Sequence, residues 1–307
     1  MLGRMSWNGY IARMQNRAVT TLAVITLVFC ACLTPASVAA QASSNGSAWT
    51  PPRTPDGQPD IQGFWTEEQG GADGTNIETS FQTIDTLRVQ GWSEERIKAR
   101  KPISAIADAP GGKIPYQPWA EARRQQILSR YGGDEITGKP AGRRDLNPEL
   151  SCILGMPRLA YWVDFQIVQA PGVVVQSWER TRAYRIIPLD GRPHAPAGVK
   201  LHMGDSRGRW EGNTLVVNTT NMNDWTWFDS KGTMHSDALT LDERYTFVDS
   251  STIRYEVTAT DPKALTRPFT MRWTLKRAHA PADGYEILES ACAEGERGLE
   301  AILGPGH

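Results

Sequence analysis

The chain has 307 residues, and its 33 Lys and Arg nearly balance 34 Asp and Glu for a formal net charge of −1. That balance leaves no basic field to hold nucleic acid. The one apolar run near the start is too short for a comfortable membrane span, and no later segment could cross a bilayer as a helix.

Arg4, Arg13 and Arg17 precede the apolar run from Leu22 to Cys32, and small residues follow at Ala36, Ala39, Ala40 and Ala42. This is the charged, apolar, small-residue order of a cleavable secretory signal, so 1–42 is expected to be a signal peptide cut near Ala40 or Ala42. The mature chain is then periplasmic or secreted. A lipoprotein signal is disfavoured, because Cys30 follows Phe29 and Cys32 follows Cys30-Ala31. Cleavage removes two of the four cysteines and brings Cys152 and Cys292 into an oxidising compartment, where a disulfide between them is expected. The alternative is two separate buried thiols.

Residues 43–60 are Ser, Gly, Asn, Pro and Thr with little apolar content, which predicts a disordered leader. Structure should begin near Ile61–Trp65. Residues 61–150 read as a loop-rich segment with a short helix at Trp92–Arg100 and a clearer one at 118–131. In the latter, Pro118 suits the first turn, Trp119, Ala122, Ile127 and Tyr131 share a face, and Gly132-Gly133 ends the run. From 151 to 294 the pattern becomes period two, predicting an antiparallel β domain followed by a tail, 295–307. Its candidate strands are Phe165–Gln169, Val173–Trp178, Tyr184–Leu189, Thr214–Thr219, Leu239–Val248, Thr252–Thr260, Phe269–Lys276 and Tyr285–Cys292. Gly204–Asn213 reads as a Gly-bounded loop leading into a hairpin. The fold class is all-β with one or two short helices, as a lipocalin-like or calycin-like barrel or half-barrel that hides its edges, or alternatively a two-sheet β-sandwich.

Period two also separates the faces of each strand. Glu243 shares a face with Leu239, Leu241, Tyr245 and Phe247, and Glu289 with Tyr285, Ile287 and Ala291, so both acids are expected to point inward. Trp273 belongs to the same aromatic wall. A buried acid needs a partner or a purpose. Arg185, Arg254 or Arg272 would satisfy it as an internal ion pair, whereas acid–base chemistry would use it together with His235, which directly precedes the Glu243 strand. Catalytic candidates are therefore His235, Glu243 and Glu289. Candidate ligand contacts are Trp225, Trp227, Tyr245, Trp273, His194 and His202, with Arg244 or Arg272 for an anionic group. No metal is expected, although His194, His202, Asp205 and His235 include suitable ligand types. No Rossmann, Walker or CxxCH haem motif occurs, so no organic cofactor is expected.

The run Gly208-Arg209-Trp210-Glu211-Gly212-Asn213-Thr214-Leu215-Val216-Val217-Asn218-Thr219-Thr220, with Trp227, His235-Ser236, Glu243-Arg244, Asp261-Pro262 and the Glu289 to Cys292 ending, resembles a large group of exported Gram-negative bacterial proteins usually labelled hypothetical. Cys152–Arg158 is similar to a further element of that group. The likeness spans Ile61 to Glu294, with Asn213 and Asn218 where GRWEGDTLVVDTT is usual, which argues against a catalytic or metal-binding charge at those positions. It implies export, the domain extent and the cysteine pair, and assigns no reaction. The expected function is a cofactor-free periplasmic or secreted enzyme acting on a small aromatic, terpenoid or sugar-derived ligand by His/carboxylate chemistry, as a lyase, hydratase, isomerase or hydrolase. The alternative is a lipocalin-type small-molecule binding protein.

Overall fold

The computed structural model describes residues 49–68, 76–79, 93–99, 104–131, 140–280 and 283–288. The expected signal peptide, Glu289, Cys292 and the tail 295–307 lie outside the described residues.

Nine strands among the described residues form one sheet: β1 Gly63–Glu67, β2 Phe165–Ala170, β3 Val173–Trp178, β4 Tyr184–Pro188, β5 Asp205–Glu211, β6 Thr214–Thr220, β7 Thr240–Asp249, β8 Thr252–Thr260 and β9 Phe269–Arg277. Their order, β4-β3-β2-β1-β9-β8-β7-β6-β5, is an up-and-down meander rolled round until its two edge strands face each other. This is an all-β, nearly closed antiparallel barrel rather than a two-sheet sandwich.

An odd number of strands cannot alternate direction all the way round a ring. Every paired neighbour is antiparallel, so β4 and β5 must run the same way. The ladder opens between them. Parallel neighbours need a long crossover, and residues 189–204 supply it. The two edges nevertheless approach closely. A Cβ on Gly208 of β5 would lie 2.7 Å from the side chains of Ile187 and Leu189, so only glycine fits there without displacing them.

The same alternation sorts the connections by end. Two-residue turns at 171–172, 212–213 and 250–251 close one end, while the long connections 68–164, 221–239 and 261–268 gather at the other. The first of these carries α1 Glu94–Ala99, α2 Pro118–Tyr131 and α3 Arg158–Trp162. Helix α2 starts at Pro118 as expected, but it buries Ala120, Arg124 and Ile127 and leaves Trp119 and Ala122 exposed. Helix α3 plugs the barrel mouth. Its Tyr161 ring stacks on Trp273 at 3.8 Å between centroids and donates its hydroxyl to the Phe228 carbonyl, and Trp178 Nε1 donates to the Leu159 carbonyl at 2.9 Å. Inside, Trp273 continues into Tyr255 and Tyr255 into Tyr245, giving an aromatic column. Alternate residues Leu241, Tyr245, Ile253, Tyr255, Phe269 and Leu275 make the surrounding core.

Three expectations are corrected. Residues 49–60 are not a loose leader: Trp49 stacks on Phe247 at 5.2 Å, and Arg53 bridges to Pro59. Backbone bonds within the stretch, such as Asp60 N–H to the Pro52 carbonyl, and one from Gln169 Nε2 to the Pro59 carbonyl help the aromatic contact seat it. Residues Tyr285–Leu288 are not a strand, because β1 takes the edge of β9 that a following strand would need, with Trp65 opposite Arg277. The expected loop at 204–213 is largely β5. On its inward face Ser206 and Gly208 precede the half-buried Trp210, so only one inward position is large and apolar and the alternation by which a strand is recognised is missing.

Candidate functional site

Glu243 points inward from β7 and is fully buried. Arg185 reaches it from β4 with both terminal guanidinium nitrogens, NH1 to Oε2 at 2.9 Å and NH2 to Oε1 at 2.5 Å. The Tyr245 and Tyr255 hydroxyls donate to Oε2 at 3.1 and 3.0 Å, and Thr219 Oγ1 donates to Oε1 at 3.1 Å. Burial works against the Arg185 charge, but the adjacent carboxylate outweighs it and holds the guanidinium above its ordinary value. Burial, reinforced by the charge of Glu243, pushes both phenols up. Both carboxylate oxygens are thus occupied, so Glu243 is held as an ion pair, with Arg185 as the partner among the cations considered.

His235 lies elsewhere in the hydrogen-bond network. Its Nδ1 sits 2.9 Å from the Ser236 carbonyl, which can only accept, so the ring proton belongs on Nδ1. Nε2 is then free to accept from the Thr226 hydroxyl at 2.7 Å. Burial lowers the basicity of the imidazole, with the Ser236 carbonyl and the charges of Asp261 and Asp224 opposing that shift. Among the described residues His235 and Glu243 share no partner, so the expected pairing of His235 with Glu243 does not form. The strand start that places them close in sequence turns one toward the end loops and the other into the barrel.

His235 instead lines a cleft of about 400 Å³ at the helix-covered end. Its walls come from α2, residues 143–153 and the 221–239 connection, and include Trp119, Trp225 and Trp227. The last wall is shaped by a turn in which Trp227 bridges to Met234 and buried Asp229 accepts from the backbone of Ile77 and Lys231 and the hydroxyl of Thr233. Burial raises the Asp229 carboxyl despite those bonds. The Arg144 guanidinium lies 3.9 Å above the Trp225 ring and pairs with Asp224 at 3.1 Å. Arg123, also lining the cleft, pairs with Asp145 at 2.6 Å. Exposed Arg143 completes the basic rim.

The remaining candidates are dispersed. Tyr245 and Trp273 belong to the interior column. Arg244 and Arg272 face outward, each beside an inward residue on its strand, and pair with Glu211 at 2.9 Å and Glu256 at 2.7 Å. They therefore do not bind an anion inside the barrel. His194 bridges Asp205 and Asn218, both at 2.9 Å, while His202 contacts Asn223 at 2.8 Å. Among the described residues no three His, Cys, Asp or Glu side chains converge as a metal set, so the alternative group of His194, His202, Asp205 and His235 does not assemble. Glu289 lies outside the described residues. Sequence reasoning overlooked Arg123, Arg143 and Arg144. The available signal was a pair of arginines in a Gly-bounded loop, but nothing in their spacing ties them to Trp225.

No family model matches the chain, and no curated protein or solved structure is significantly similar to it.

Proposed function

We propose that the protein is an exported small-molecule binding protein whose cleft seats a planar ligand against Trp225 and its neighbours. The observation that carries this reading is the cleft itself, where three tryptophans and a basic rim meet at the elaborated end of a barrel whose other end is closed by two-residue turns. Clefts of this size, mostly apolar with a few directed polar groups, are the usual form of a ligand site. Glu243 also supports binding over catalysis, because Arg185, two tyrosines and Thr219 already occupy its oxygens. Export rests on the order of residues 1–42, and pairing of Cys152 with Cys292 belongs to the same proposal.

The test is capture of metabolites by the chain from residue 43, read by mass spectrometry, beside Trp225→Ala. A compound retained by the parent and lost by the variant is the expected result. Equal retention by both removes the cleft from the reading.

A second reading is acid–base chemistry at the same cleft, favoured by His235 in its wall, whose Nε2 accepts from the buried Thr226 hydroxyl. It predicts that a captured compound is converted, and that His235→Ala binds it without conversion. Binding without turnover by the parent chain rejects it.

A further inference from the structure

The basic rim of the cleft is not fully neutralised. Arg144 is paired with Asp224 and Arg123 with Asp145, but the Arg143 side chain meets no carboxylate among the described residues. It is exposed at the cleft edge, in a chain whose formal net charge is −1. A guanidinium presents a planar fork that matches a carboxylate in two-point fashion. The adjoining indoles offer broad faces and little hydrogen-bonding capacity, which suits an aromatic ring more than a flexible chain. Among the described residues, one cation without a carboxylate partner beside a cleft of about 400 Å³ fits a single negative charge on a one- or two-ring body, rather than a polyphosphate.

We infer that the ligand is an aromatic carboxylate, its anionic group on Arg143 and its ring against Trp225. This rests on the binding reading above and names its ligand class. Arg144 takes no direct part: its guanidinium covers one face of the Trp225 ring and serves Asp224, and the indole, still 39 % exposed, keeps surface for the ligand's ring.

The experiment is isothermal titration calorimetry of the chain from residue 43 with naphthoate and with its neutral counterpart, naphthalenemethanol, at low and high salt. Naphthoate is expected to bind about tenfold more tightly, the scale of one charge-assisted contact. Arg143→Gln should remove that difference while leaving the alcohol unaffected, Trp225→Ala should weaken both, and salt should narrow the gap. Equal affinities with no effect of Arg143→Gln overturn the charge assignment and leave the cleft reading standing. Failure of both probes to bind, or binding indifferent to both substitutions, overturns the two together. Arg143 is exposed, so its substitution does not threaten the fold.

Discussion

Arg185 on β4 and Glu243 on β7 meet across the open seam of the barrel, two nitrogens to two oxygens. Between them stand β5 and β6, and the guanidinium also donates to Ser206 at 2.8 Å and to Thr219 at 2.5 Å. One side chain thereby ties β4 to β5, β6 and β7 across the seam, where no backbone ladder links β4 to β5. Removing one member strands the other charge in a dry interior, so Arg185→Met is expected to cost about 3–5 kcal/mol. Arg185→Met with Glu243→Leu should recover part of that loss, since neither charge is then alone. Urea unfolding of the three proteins checks this, and a single variant as stable as the parent contradicts it.

The plug at the barrel mouth gives a second test. Tyr161→Ala removes a ring stacked on Trp273 and leaves a cavity that the rigid sheet cannot collapse around, costing about 3–5 kcal/mol. Tyr161→Phe keeps the stack and loses the hydroxyl with its bond to the Phe228 carbonyl, so its cost should be about 1–3 kcal/mol. Thermal unfolding should rank parent above Phe above Ala. If the Phe variant loses as much as the Ala variant, the hydroxyl rather than the stack secures the helix.

The depressed basicity of His235 has a definite sign. Near neutral pH neither state binds the extra proton, whereas below the ordinary histidine value of 6.5 the unfolded chain takes it and the folded chain resists. Stability is therefore lost as pH falls from about 6.5 toward the lower folded value. His235→Gln should unfold with a shallower pH dependence over that window. Parallel curves for parent and variant would show that His235 protonates equally in both states.

Under the proposal for the cysteines, an unreduced digest of the exported protein should contain one linked peptide joining Cys152 to Cys292. Reduction should lower stability by about 3–5 kcal/mol, the chain-entropy expectation for a long loop. Free thiols at both positions in the oxidised protein reject the pairing.

The barrel was legible because most of its strands carry inward residues that are large and apolar. From β7 to β9 the alternation Leu241, Tyr245, Ile253, Tyr255, Met271 and Trp273 leaves little choice of face. The inward acid was legible for the same reason, since Glu243 interrupts that set. β5 was hidden because Ser206 and Gly208 are small residues fitted to the seam. β1 is far in sequence from β9, and local pattern does not report which edge a distant strand will take. The cleft was only half legible. Trp225 and Trp227 drew notice as adjacent aromatics in a connection, whereas Arg143 and Arg144 join them only after the segment before β2 folds back over the barrel.

Parity is what singles out β4 and β5. A cylinder with an even count would share its load evenly, but here two staves lack a hydrogen-bonded neighbour on one side, which gives the vessel a fault line. Unravelling should start there under heat or force, and the guanidinium spanning the gap acts as the clasp that delays it.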